Sequence, residues 1–325
     1  MKEADIVALV RELFPQRGAK VGIGDDAAVV GEHVVTTDML IEDVDFTRAI
    51  PLRFVARKSL AVNLSDLAAM GALPAYAVVA LGLPPWTHEH IDEFLEALAG
   101  AAREQDIDLV GGDLSRAEKL TIAVTAVGYV EHRPLLRSGA RAGDRVYLSR
   151  PVGGSAAGLW LLQHGGGQAL LPVLDRGSQA RVPDLHMSYA QREFGLSAIR
   201  RQVDPEPEVR LGRELAQIDE VSACIDVSDG LSTDLHHLCE ASHVGADIER
   251  ERIPVFPDLV GSGLPVEDCV LHGGEEYALL FTSSLRESEL SVRVGRPVYA
   301  IGKISKERGV RLNGKPLEAK GWEHF

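Results

Sequence analysis

The stretch Arg137-Ser138-Gly139-Ala140-Arg141-Ala142-Gly143-Asp144 divides the chain in two. Glycines and charged residues are interspersed there with small ones, the composition of a linker, and a strand-like run over Arg145–Ser149 follows. A boundary near residue 140 is therefore expected, with an N-terminal unit over 1–140 and a C-terminal unit over 141–325. The 325 residues suit two domains on a prior of roughly 100–200 residues each.

Moving back from that linker, Leu120–Val130 alternates in the manner of a half-buried strand. Thr87 is placed to cap a helix running to about Gln105, with Glu89, Asp92 and Glu93 early in it and Ile91, Phe94, Leu95 and Leu98 on one face. Ala75–Leu83 reads as a strand, and Leu52–Met70 as a helix closed by Gly71 and Pro74. Gly22-Ile23-Gly24 leads into strands at Ala27–Val30 and His33–Thr37, then a carboxylate-rich loop, and residues 1–14 predict a first helix rather than a signal segment.

Moving forward, Gly153-Gly154 precede a helix through Gln163, residues 164–186 read as loop, and helices are expected near 189–202 and 207–217. A strand at Ala223–Asp226 enters a second carboxylate-rich loop and a helix over Leu231–Ser242. Strands near Ala246–Ile248, Tyr277–Phe281, Val298–Ile304 and Val310–Leu312 complete the pattern. Helices and strands alternate in both halves, which predicts two α/β or α+β domains.

Acidic residues number 48 against 34 basic ones, for a net charge of −14, so neither a nucleic acid nor an anionic membrane is an expected partner. The longest apolar stretch, Ala75–Trp86, is broken by Gly82 and Pro84-Pro85 and falls short of the roughly 20 residues a bilayer requires. Cys224, Cys239 and Cys269 form no C-x-x-C pair, which points to a reducing cytoplasm rather than a disulfide framework or thiolate zinc site.

Five short segments carry the chemistry: Asp25-Asp26 after GIG, Thr36-Thr37-Asp38, Asp66 in NLSDLAAMGA, Asp113 in VGGDLSR, and Asp226, Ser228 and Asp229 in IDVSDG. A single loop Asp commonly caps a helix or closes a turn. Five segments converging would instead build a charge density that needs hard divalent cations, and oxygen donors of this kind suit Mg²⁺ bridging to phosphates. Gly22-x-Gly24-x-x-Ala27 is a poor dinucleotide motif, because Asp25 and Asp26 stand where a pyrophosphate needs N–H groups. No P-loop and no EF-hand pattern occurs.

Gly111-Gly112 and Gly273-Gly274 allow close approach to a ligand or tight turns between strands. Arg137 offers a guanidinium to a phosphate or to solvent, and Trp322 a ring for stacking or for anchoring the C-terminus. His236-His237 and the cysteines receive no role.

Taken in order, GIGDDAAV, TTDMLIEDVDF, KSLAVNLSDLAAMGA, VGGDLSR, IDVSDGLSTDL, HGGEEY and KGWEHF resemble the thiamine-monophosphate kinase family over nearly the whole chain. The resemblance implies the two-domain α/β (α+β) fold of aminoimidazole ribonucleotide synthetase, a homodimer formed mainly through N-terminal domains, and ATP-dependent phosphorylation of thiamine monophosphate with several Mg²⁺ ions. It implies metal ligands at Asp26, Thr36, Thr37, Asp38, Asp66, Asp113, Asp226 and Asp229, of which Asp66, Asp226 and Asp229 are the expected catalytic set. It implies ATP contacts at Gly112, Asp113, Arg137 and Ser228, and contacts to thiamine monophosphate at Asp45, Glu275 and Trp322. Position 45 is Asp here where some relatives carry His. The alternative is another ATP-using enzyme of the same fold, such as the synthetase; selenophosphate synthetases usually carry a reactive residue near the N-terminus, whereas no Cys precedes Cys224.

Overall fold

The computed structural model describes residues 3–14, 16–164, 167–176 and 188–322. After helix α1 (Glu3–Leu13), strands β1 (Ala28–Val30) and β2 (His33–Ile41) lead to α2 (Leu52–Ala69), β3 (Leu73–Leu83), α3 (His88–Glu104), β4 (Asp108–Arg116) and β5 (Thr121–Tyr129). The five strands form one sheet in the order β1-β2-β5-β3-β4, antiparallel except for the β3–β4 pair. As the sequence suggests, Thr87 caps α3: its Oγ1 accepts from His90 N–H, while the His90 ring accepts from Thr87 N–H.

One face of this sheet is covered by α2 and α3. Strand β5 shows why: Ile122, Val124 and Ala126 alternate inward and are buried beside Leu60, Leu64 and Phe94. The opposite face has no covering element among the described residues. Met39, Tyr76 and Val78 are exposed on it, and every residue of edge strand β4 is exposed.

Helix α2 is buried nearly all round, because β2, β3 and β5 flank one side and elements of the second half flank the other. Its interior polar groups survive burial by being bonded, as they must. Asn63 Oδ1 accepts from Asp38 N–H at 3.0 Å and its Nδ2 donates to the Ser59 carbonyl at 3.0 Å.

The second half opens with β6 (Arg145–Leu148), α4 (Gly154–His164), a 3₁₀ turn at Gly167–Leu170, α5 (Leu171–Arg176), α6 (Tyr189–Val203), α7 (Val209–Ala216), β7 (Val221–Asp226) and α8 (Leu231–Ala241). It ends with β8 (Gly245–Ile248), α9 (Val266–Leu271), β9 (Leu279–Ser283), α10 (Glu287–Arg293), β10 (Tyr299–Ser305), β11 (Gly309–Leu312) and β12 (Lys315–Pro316). Its sheet runs β12-β11-β8-β10-β6-β9-β7. One face packs Val146, Leu148, Ile225 and Leu280 under Leu231 and Leu235 of α8. The other stacks Tyr147 on Phe281 at 5.3 Å beside Leu211 and Leu215 of α7 and Ala68 and Ala69 of α2. Helix α2 thus belongs to both cores, which fixes the first sheet against the second.

Three expectations need correction. Asp38 lies inside a strand, not a loop, because β2 continues to Ile41 opposite β5. Gly111-Gly112 sits in β4 rather than a turn: a Cβ on Gly112 would lie 1.9 Å from the Val79 carbonyl oxygen, so glycine is required by the approach of the paired strand. Residues 167–176, expected as loop, are helical because Leu170 and Leu171 pack with Phe54 and Ile199; residues 177–186 of that segment lie outside the described residues, as do 323–325 of the KGWEHF tail.

Candidate active site

Three carboxylates meet where the two halves touch. Asp26 precedes β1, Asp66 lies in the last turns of α2, and Asp226 ends β7; one oxygen of each falls within 4.8 Å of the others. Asp66 Oδ2 accepts from Thr36 Oγ1 at 2.5 Å, and Asp226 Oδ2 accepts from Ser65 Oγ at 2.6 Å. Asp26 Oδ1 accepts from Arg137 Nε at 2.9 Å and Nη2 at 2.5 Å, while Arg137 N–H donates to Asp25 Oδ1 at 3.1 Å. The linker arginine is therefore anchored on the acidic cluster rather than solvated.

At 4.8 Å and an effective dielectric near 20, each pair of full charges repels by about 3 kcal/mol. Burial raises Asp26 to about 7, outweighing Arg137, with Asp226 and Asp25 adding to the rise. Burial likewise lifts Asp226 to about 6 against the Ser65 hydrogen bond and Arg137, and Asp38 to about 6 with help from Asp45. Asp66 rises well above its ordinary value through burial and then Asp38, Asp226 and Asp26. Asp26 Oδ2 and Asp226 Oδ1 are buried with no hydrogen-bond partner. A hard divalent cation fits this donor set: it takes oxygen ligands, would occupy the two orphaned acceptors, and removes the repulsion.

A second group gathers Asp229, Asp234 and His237. Asp234 is buried and accepts from Asp229 N–H at 3.2 Å and Gly230 N–H at 3.0 Å, closing the loop that starts α8. Burial, then Arg137 and His236, lower His237 to about 4, so its imidazole is neutral at pH 7. The tail crosses this loop, with Trp322 N–H donating to the Asp229 carbonyl at 3.1 Å and the Trp322 side chain largely exposed.

The HGGEEY segment lies against the same loop. Glu275 N–H donates to the Ser228 carbonyl at 2.7 Å and Tyr277 N–H to the Val227 carbonyl at 2.8 Å. Glycine is needed at 274, where a Cβ would lie 2.6 Å from the Ser228 carbonyl oxygen. This contact delivers Glu275 to Lys58 of α2, whose Nζ lies 2.5 Å from Glu275 Oε1 with only 5% of its side chain exposed. Gln202 Nε2 donates to the other Glu275 oxygen. Lys58 and Gln202 then form the wall of a cavity of about 250 Å³ shared with Asp45, Phe46, Ile50 and Leu162. Asp45 Oδ2 accepts from Ile41 N–H at 2.7 Å, which holds the carboxylate at this pocket.

Thr36 and Asp38 join the cluster, whereas Thr37, Gly112 and Asp113 do not within one chain. Thr36 and Asp38 point to the covered face of the sheet, whereas Thr37 between them points to the other, bonded to Val124 and Thr125. Asp113 is on β4, paired with Ala80 of β3, so three strand spacings of about 4.8 Å each put it about 14 Å from β2. Gly112 accompanies it on the exposed edge. Composition and motif reading missed Lys58, Asn63, Ser65, Gln202 and Asp234; for the α2 residues, polar side chains recurring within an otherwise apolar helix were the available signal.

The family model described as AIR synthase related protein, N-terminal domain, matches residues 24–130, and that of the C-terminal domain matches 141–315. The chain is 32% identical to "Thiamine-monophosphate kinase" of Haemophilus influenzae over 98% of its length and 97% of the relative's. It is 35% identical to the protein of the same name from Escherichia coli K12, covering 94% and 92%. A solved structure titled "AaThiL complexed with AMPPCP and TMP" superposes with a TM-score of 0.84 at 30% identity, covering 100% and 97% of the two chains.

Proposed function

The chain belongs to the AIR synthase related family and, within it, to the thiamine-monophosphate kinases, and from that premise we propose that it transfers the terminal phosphoryl group of ATP to thiamine monophosphate, giving thiamine diphosphate. The observation that carries this reading is the convergence of Asp26, Asp66 and Asp226, with two orphaned oxygens, beside a pocket walled by Asp45 and Lys58. The electrostatic influence of Asp45 on Asp38 links the two regions.

Several Mg²⁺ ions, held by Asp26, Thr36, Asp38, Asp66, Asp226 and Asp229 together with Thr37 and Asp113, would neutralise the phosphates of both substrates. Asp66, Asp226 and Asp229 form the catalytic set in this reading. Gly112, Asp113, Arg137 and Ser228 bind the nucleotide, and Asp45, Glu275 and Trp322 bind the acceptor. Glu275, held by Lys58 and Gln202, presents a fixed carboxylate, and Asp45 holds its own on the Ile41 N–H.

The transfer is direct and in line: an acceptor phosphate oxygen bonds the γ-phosphorus as the bond to the β,γ-bridging oxygen breaks, and ADP leaves with that electron pair. No general base is required, since a phosphate monoester with a second pKa of about 6 is largely deprotonated at neutral pH. The exposed sheet face bearing Met39, Tyr76 and Val78, with β4 unpaired on its outer side among the described residues, supports a homodimer through the N-terminal domains. Three buried thiols suit a cytoplasmic home.

Purified protein with ATP, Mg²⁺ and thiamine monophosphate should yield thiamine diphosphate, free thiamine serving as the control acceptor. Asp66→Asn should fold and lose turnover; product from neither acceptor, with ATP still bound, would favour another ATP-using activity of the family. A protein phosphorylated by ATP and able to pass that phosphate to thiamine monophosphate would rule out direct transfer.

A further inference from the structure

A second cavity, of about 330 Å³, opens at the C-terminal end of α6, and its walls carry Arg150, Arg200, Arg201 and Arg296 against Asp204, Glu206 and Glu208. Four guanidiniums around one cavity stand out in a chain whose acidic residues exceed its basic ones by 14. Two of the three carboxylates are already engaged. Glu208 holds Arg296 through both oxygens, at 2.6 and 3.2 Å, and Asp204 holds Arg57, which lies outside the cavity lining, at 2.7 Å. Neither the Arg200 nor the Arg201 side chain is held by a hydrogen bond or close salt bridge among the described residues, although Arg201 acts electrostatically on buried Glu276.

Arg150 is built into the wall. Only 8% of its side chain is exposed, and its Nη2 donates to the backbone carbonyls of Glu206 and Tyr277. Its Nε lies 3.5 Å from Glu208 Oε1 yet is buried without a hydrogen bond. Burial, opposed by Glu208 and reinforced by Arg201 and Arg296, lowers Arg150 to about 10. Positive side chains at a helix C-terminus complement its dipole, which accounts for Arg200 and Arg201 on the last turn of α6 but not for Arg150 and Arg296, which come from other elements.

We propose that this cavity is a binding site for a small phosphate-class oxyanion, gripped by Arg150, Arg200, Arg201 and Arg296 and separate from the acidic cluster. Guanidinium groups match phosphate oxygens in charge and in paired N–H geometry, and an anion here would engage Arg200 and Arg201, whose N–H groups are not otherwise hydrogen-bonded among the described residues. The site requires no metal, which is the opposite of the carboxylate cluster.

That difference defines the experiment. Inorganic phosphate and inorganic pyrophosphate are titrated calorimetrically into the full-length protein in EDTA at low ionic strength, where the metal-free carboxylate cluster repels anions. Saturable binding of either probe is expected in the wild type and in Asp66→Asn. The double variant Arg200→Ser/Arg201→Ser, whose substitutions lie at the helix surface and whose fold is checked by thermal unfolding, should bind at least about tenfold more weakly. Absence of binding in the wild type, or equal binding by the folded double variant, would overturn the assignment. Because no turnover is measured, this result is independent of the kinase activity.

Discussion

Asp26→Asn should stabilise the metal-free protein at neutral pH while abolishing part of its stabilisation by Mg²⁺. In the fold the Asp26 carboxyl is displaced from 3.8 to about 7, chiefly by burial, so between those values the folded chain holds a proton that the unfolded chain has released. Stability contributed by this group is therefore greatest below pH 4 and is lost as pH rises toward 7. Three units correspond to about 4 kcal/mol over the full interval, of which about 2.5 kcal/mol falls between pH 5 and pH 7.5. His237, lowered to about 4, acts in the opposite sense between about 4 and 6.5. Comparing variant with wild type at each pH cancels that contribution. For a chain of this size about 1 kcal/mol moves the melting temperature by about 2 °C, so the gap in favour of the variant should widen by about 5 °C from pH 5 to pH 7.5 in EDTA. Millimolar Mg²⁺ at pH 7.5 should reverse the order, because only the wild type retains the full ligand set. Scanning calorimetry of both proteins reads all three conditions. A gap that stays constant with pH, or a variant that gains as much from Mg²⁺ as the wild type, would refute the reasoning.

Lys58→Met keeps the length of a buried side chain but removes the partner of Glu275; the KM for thiamine monophosphate should rise about tenfold or more, with a smaller change for ATP, and steady-state kinetics with each substrate varied would expose an error. Gly112→Val forces side-chain atoms into the Val79 carbonyl, so thermal unfolding should show a loss of about 3 kcal/mol or more, and an unchanged melt would contradict the observed pairing of β3 with β4. Tyr76→Asp combined with Val78→Asp places charge on the uncovered sheet face; sedimentation should give one-chain mass for the variant and twice that for the wild type, and a dimeric variant would move the interface elsewhere.

The order of elements was legible because the strong signals were local. The Thr87 cap, the alternation in β5 and the apolar run of α2 each depend on a few neighbouring residues. Strand β4 was not legible: Gly111, Gly112 and Asp113 have poor strand propensity, and the segment is extended only because β3 offers a parallel partner distant in sequence. The candidate site shows the same division. Asp26, Asp66 and Asp226 stood out as acidic motifs, but Lys58 and Gln202 acquire meaning only once the loop at Ser228 brings Glu275 to them. Neighbouring residues of a strand face opposite ways, so Thr36-Thr37-Asp38 divides between two faces as soon as β2 is known to run through it.

That division bears on how the site is completed. Within one chain, Asp113 sits about 14 Å across the sheet from β2, far beyond the roughly 2 Å of a metal–oxygen bond, and Thr37 faces the same uncovered side. The same face exposes Met39, Tyr76 and Val78, and among the described residues edge strand β4 has no partner on its outer side. An apolar face and an unpaired edge both gain by being covered, and a second copy of the chain would cover them by symmetry. If Asp113 serves the same metals as Asp66, the copy that supplies it must be the partner, and the dimer becomes part of the catalytic unit rather than a means of hiding apolar surface.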